Sequence, residues 1–183
     1  PVASNMIIMK DGGGNVLWLD INVNTIGNGT GMMMPGQGFA IKMMEVETFN
    51  YPSMTEGARI ASPSPVYTLS HYQKSLNTGD NMTIGIPLVT WDVLPEIGDE
   101  IAAYNSKGIL VGSVTFNGEA TAITVWGDDM TTDDKIEGLV EGEIISLEVW
   151  RKTENLIEDV KIDVWEVGNN VYTVNGIAIA GNA

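Results

Sequence analysis

Short runs of β-branched and aromatic residues, broken every few positions by Gly, Asn or Pro, occupy nearly the whole chain. That spacing constrains the fold more than any other feature. Asn5–Lys10 leads through the turn Asp11-Gly12-Gly13-Gly14-Asn15 into Val16–Val23, whose two sides are both apolar, as in a strand buried on both faces. Phe39–Met43 and Val46–Tyr51 read as strands. So do Val66–Tyr72, Met82–Ile86, Glu100–Tyr104, Leu110–Phe116, Ala120–Trp126, Glu143–Trp150, Val160–Trp165 and Val171–Ile179. Turns such as Asn105-Ser106-Lys107-Gly108 separate neighbours, and Asn117-Gly118 offers the positive φ values of a tight type I′ hairpin. Helix signals are confined to Thr131–Glu137, where Thr132-Asp133-Asp134 could cap a single turn before Gly138. The expected fold is all-β and antiparallel, resembling a β-sandwich.

Residues 52–65 hold three prolines, Gly57 and four Ser/Thr, the composition of an extended connection. The reading is therefore two β blocks joined by a Pro/Ser-rich linker: residues 1–52, a linker at 53–65, and a sandwich-like domain over 66–183. The blocks differ in charge. Residues 1–75 carry four basic and five acidic groups, whereas 76–183 carry five and nineteen, and eight of those acids fall between Asp128 and Glu148.

A net charge of −15 and a pI near 4.1 argue against partners built of phosphate, whether nucleic acid or anionic lipid. No apolar run approaches the roughly 18–20 residues of a membrane helix, so no membrane insertion is expected. The absence of cysteine removes disulfides, thiolate nucleophiles and zinc–thiolate sites. The chain opens at Pro1 with neither an initiator Met nor a basic leader, as a processed product or a slice of a longer protein would.

Residues suited to catalysis are sparse. The single histidine, His71, cannot form a two-His metal site, and a Ser-His-Asp arrangement would need three groups to converge. Gly27-Asn28-Gly29-Thr30-Gly31 lacks the helix and the Lys of a phosphate loop. The expectation is a chain without enzymatic activity, catalytic residues or organic cofactor. Gly127–Asp134 places Asp128, Asp129, Asp133 and Asp134 with two hydroxyls in eight residues. It reads either as a solvated, capped acidic loop or as a calcium site, because Ca²⁺ takes six to eight oxygen ligands, although the spacing is not that of an EF-hand. Five Trp could stack on sugars, but as a set they read as core residues, Trp126 and Trp150 filling the sandwich interior. Met32, Met33 and Met34 cannot all enter one core, so this loop is a candidate subunit contact.

Three sets of motifs carry a resemblance. The first is Thr25-Ile26-Gly27, then Pro35-Gly36-Gln37-Gly38-Phe39-Ala40-Ile41-Lys42-Met43, then Phe49-Asn50-Tyr51-Pro52. The second is His71-Tyr72 with Thr78-Gly79-Asp80-Asn81-Met82-Thr83. The third combines Gly98–Tyr104, Leu110–Ser113 and Ala122–Asp129. Together they resemble β-rich modules, often repeated, of large secreted and cell-surface proteins of Bacteroidota, many exported by the type IX secretion system. Met32–Met34 depart from that pattern, which has a shorter, Leu-containing link. The resemblance implies an extracellular or cell-surface, non-catalytic module. It also implies a chain cut out of phase with the repeat, because the Pro35-Gly36-Gln37-Gly38 segment here precedes the Gly98-Asp99-Glu100-Ile101 block. From this follows the expectation of head-to-tail self-assembly into a filament by strand complementation, with Met32–Met34, Ile7, Ile8, Val174, Ile177 and Ile179 as candidate contacts. The other expectation is a carbohydrate-binding or adhesion module with a glycan partner.

Overall fold

Alternation of apolar and polar residues sorts the strands into faces, and those faces meet in layers. The computed structural model describes residues 5–14, 16–18, 38–46, 48, 68–132 and 134–182. Eleven strands run along them: β1 Met6–Asp11, β2 Val16–Trp18, β3 Phe39–Met43, β4 Asn81–Ile86, β5 Glu100–Tyr104, β6 Leu110–Thr115, β7 Thr121–Trp126, β8 Ser146–Arg151, β9 Leu156–Val160, β10 Trp165–Val167 and β11 Ile177–Ala180. The chain is all-β; the one helical piece among the described residues is a 3₁₀ turn at Leu88–Thr90.

Two four-stranded sheets form the sandwich, in the orders β10-β11-β4-β7 and β6-β5-β8-β9. Between these eight strands the pairings are antiparallel except β11 with β4, where Ala178 lies opposite Ile84. Between the sheets lies one core. Met82, Ile84 and Ile86 of β4 meet Ile101 and Ala103 of β5, Leu147 and Val149 of β8, and Ile123 and Val125 of β7. Sheet faces must bury their apolar side against something, and these alternate residues do so against each other. At one margin β6 and β7 come close. A Cβ at Gly112 would stand 2.5 Å from the Thr124 carbonyl oxygen, so glycine is required there.

All six residues of β4 are buried. Its outer face lies beneath the third sheet, β2-β1-β3, formed by the N-terminal segment. Lys10, Ile8 and Val16 share that sheet's inner side, since Lys10 pairs with Val16 in register and Ile8 lies two residues earlier. Ile8 and Val16 join Ala120, Ala122 and Ile179 in a second, smaller core. The first turn holds Gly14 at φ 82°, and the Thr124 hydroxyl donates to the Gly14 carbonyl at 2.7 Å.

The opposite outer face, on the β5–β8 sheet, is crossed by a strap, residues 70–73. Tyr72 joins Ala102 and Trp150 in a third cluster, and the His71 ring stacks on the Trp150 indole, with centroids 4.5 Å apart and planes 8° from parallel.

Several expectations change. Of the strand expected over Val66–Tyr72, the described residues 68–72 form none: the N–H groups of Ser70, His71 and Tyr72 bond to the Glu100 side chain rather than to a neighbouring backbone. The strand expected over Val160–Trp165 is largely absent: Val160 closes β9, which starts at Leu156 after the turn holding Asn155 at φ 52°, Trp165 opens β10, and 161–164 connect the two sheets without being strand. Val171–Ile179 contributes only its last residues, because Tyr172–Gly176 bends back to bond with Asn81, Thr83 and Glu143. Asn117-Gly118 is not a type I′ hairpin. Only Gly118 has positive φ, the Asn117 side chain accepts from Glu119 N–H, and β6 and β7 belong to different sheets. No helix forms among the described residues of 131–137, where Thr131 and Thr132 bond back to Asp129. Trp126 and Trp150 are buried, but on the outer faces rather than in the sandwich interior: Gly14 lies over Trp126 and His71 over Trp150. The remainder of the strand expected at Val16–Val23 lies outside the described residues, as does most of Val46–Tyr51.

Candidate functional site

The acidic loop begins where β7 ends. Asp128 Oδ1 accepts the N–H of Glu137 at 2.6 Å and of Gly138 at 3.3 Å. Asp129 Oδ1 accepts the N–H and hydroxyl of Thr131 at 2.9 and 2.6 Å, and these two bonds hold its carboxyl below the usual range. The Asp-x-Thr spacing is the signal for such a local turn. Asp134 is exposed and Asp133 lies outside the described residues. Among the described residues no three His, Cys, Asp or Glu side chains converge as a metal site.

The candidate assembly residues are distributed as follows. Ile8 and Ile179 are buried together in the small core between the N-terminal sheet and β11, and Ile7 and Ile177 rest against it. Val174 is 40% exposed in the turn before β11, with its N–H on Glu141. Met32, Met33 and Met34 lie outside the described residues. Four of the apolar positions thus meet within one chain, where the N-terminal sheet covers its own sandwich.

Two charged residues secure the covers. Lys10 is 2% exposed. Its Nζ donates to the Asn81 carbonyl at 3.0 Å, to Asn81 Oδ1 at 2.9 Å and to the Gly176 carbonyl at 3.3 Å. Among the described residues no carboxylate forms an ion pair with it, and burial lowers its pKa to about 8. Glu100 is fully buried. Its carboxylate accepts the N–H and hydroxyl of Ser70 at 2.5 and 2.7 Å, the N–H of His71 at 3.1 Å and the N–H of Tyr72 at 2.9 Å. Burial alone would raise its pKa, but these donors outweigh burial and hold it below the usual carboxylate range. Both residues were legible as charges in phase with apolar neighbours, Lys10 with Ile8 and Glu100 with Ala102, yet the strand pattern alone did not single them out.

Beside the strap, Tyr72 OH donates to Glu148 at 2.8 Å. Burial and this carboxylate push the Tyr72 hydroxyl far up, and the same two causes raise Tyr104 to about 12. Clefts are shallow. One of about 280 Å³ is bordered by Trp91, Asp92, Arg151, Glu158 and Asp159; another of about 310 Å³ is bordered by Lys107, Ile136, Glu141 and Glu143.

Two strands end their sheets while exposing most of their length. In β9, Leu156, Ile157, Glu158 and Asp159 are all exposed, the two apolar residues at 50% and 48%. In β3, Ala40, Ile41 and Lys42 are exposed. No family model matches the chain, and neither a curated protein nor a solved structure matches it.

Proposed function

We propose that the chain is a non-catalytic structural module of the extracellular space or cell surface that assembles head to tail with its own copies into a filament by β-strand complementation. The observation that carries this reading is β9, a sheet-terminal strand with Leu156 and Ile157 half in water. An open edge offers a row of backbone donors and acceptors to another strand, and soluble proteins normally shorten, cover or bulge such edges. The compartment rests on the resemblance of the Pro35–Met43 and Gly98–Tyr104 motifs to secreted Bacteroidota modules. Sedimentation velocity over a wide concentration range, with microscopy of the same samples, tests the reading. Growing species and fibres are expected; a monomer at every concentration contradicts it. Repeating the series in EDTA asks whether calcium at Asp128, Asp129, Asp133 and Asp134 supports the polymer.

A second reading, glycan binding, is favoured by one observation. The cleft beside β9 is bordered by Trp91 together with Asp92, Glu158 and Asp159, a mixture of aromatic and acceptor residues of the kind a sugar uses. Retardation on an immobilised-glycan gel, abolished by Trp91→Ala, is the expected result for that reading.

A further inference from the structure

Among the described residues few sheet edges are long enough to accept a strand. β6 and β7 close against each other at the margin where Gly112 meets Thr124. Among the described residues β2 and β10 have three residues each. That leaves β9 and β3, of five residues each. Among the described residues each has a partner on one side only: β8 for β9 and β1 for β3.

Their side chains are complementary. The edge of β9 carries Glu158 and Asp159 beside Leu156 and Ile157; Glu158 already pairs with Arg151, whereas Asp159 has no ion pair among the described residues. β3 carries one charge, Lys42, next to Ile41, which is 37% exposed. Pairing β9 with β9 would bring carboxylates together in a sheet already rich in acid, and like charges facing each other across a ladder destabilise it. Pairing β3 with β9 sets an ammonium among carboxylates and an isoleucine against Leu156 or Ile157. The charge pattern thus rejects the symmetric contact as well as favouring the mixed one.

We infer that the free edge of β3 in one copy adds to the free edge of β9 in the next, continuing the β6-β5-β8-β9 sheet across the subunit boundary. This inference rests on the self-assembly reading above and names its two surfaces. The surfaces differ, so the contact is heterologous. Each joined pair therefore still offers one open β3 and one open β9, and growth continues.

The test uses the full chain. A mixture of isotope-labelled and unlabelled protein at assembling concentration is treated with a carbodiimide, and the peptides are mapped. The expected product is an amide between Lys42 and Asp159 or Glu158 from differently labelled chains. In parallel, Lys42→Glu should raise the concentration needed for assembly about tenfold, and Asp159→Lys in the same chain should restore it. Both positions are exposed, so folding is unaffected, and the circular dichroism of each variant verifies this. Assembly that persists unchanged in Lys42→Glu, or cross-links only between other residues, overturns the β3–β9 contact and leaves self-assembly standing. A wild-type chain that never assembles overturns the self-assembly reading itself.

Discussion

The two covers of the sandwich, the N-terminal sheet on one face and the strap 70–73 on the other, are each secured by a buried charge, and the charges have opposite sign. Lys10 donates to acceptors, and Glu100 accepts from donors. The difference matters because a carbonyl oxygen can take two hydrogen bonds whereas an N–H makes one. The carbonyls that receive Lys10 have other donors: Asn175 N–H bonds to Asn81 O, and Thr83 N–H bonds to Gly176 O. The N–H groups of Ser70 and Tyr72 have Glu100 as their acceptor. A buried anion gathering donors is thus harder to replace than a buried cation sharing acceptors.

The largest consequence falls on Glu100. Glu100→Ala strands several N–H groups under the strap, and a loss of about 3 kcal/mol is expected in urea unfolding. The folded carboxyl titrates below its ordinary value. Its contribution is therefore present above about pH 4.5 and is lost as pH falls through the folded value, a slope that Glu100→Ala should flatten. A variant as stable as wild type would break the proposed asymmetry.

Lys10→Met sharpens it with a smaller effect. Removing the ammonium relieves its desolvation and leaves mainly Asn81 Oδ1 without its donor, so a change under about 1.5 kcal/mol is expected at pH 7. The alkaline limb is more diagnostic. The folded Lys10 pKa is about 8 against 10.5 for an ordinary lysine, so in that window the unfolded chain binds more protons and stability rises with pH. Tyr104 and Tyr172 act the other way above about pH 10, because their folded values are raised to about 12 and the unfolded chain ionises first. Wild type should therefore rise and then fall across the alkaline range, and Lys10→Met should lose the rise alone.

Much of the fold was legible where strands have two different sides. β3 and β5 fall on the residues that alternation marks, and β4, β6 and β7 match within one residue at each end. What alternation could not show lies where backbone groups find side-chain partners. The segment at 68–72 has strand-like composition, but the N–H groups of Ser70, His71 and Tyr72 are captured by the carboxylate of Glu100, about thirty positions along the chain. β9 escapes the alternation pattern for a related reason. Leu156-Ile157-Glu158-Asp159 has no buried side, so no period-2 pattern marks it, and only the pairing with β8 reveals a strand. The element most relevant to assembly is the one that burial patterns were least able to find. The layering was equally hidden: Trp126 and Trp150 are apolar enough for any core, and nothing local tells the inner face from a covered outer one.

Strand complementation depends on backbone pairing at two open edges, and amide hydrogen exchange reads that pairing directly. With exchange followed at low and at assembling concentration, the amides of Phe39–Met43 and Leu156–Val160 should slow on the order of tenfold or more in the concentrated sample, while the Ser70 and Tyr72 amides stay unchanged. Exchange in β3 and β9 that is the same at both concentrations would contradict strand complementation as the means by which this chain joins its copies.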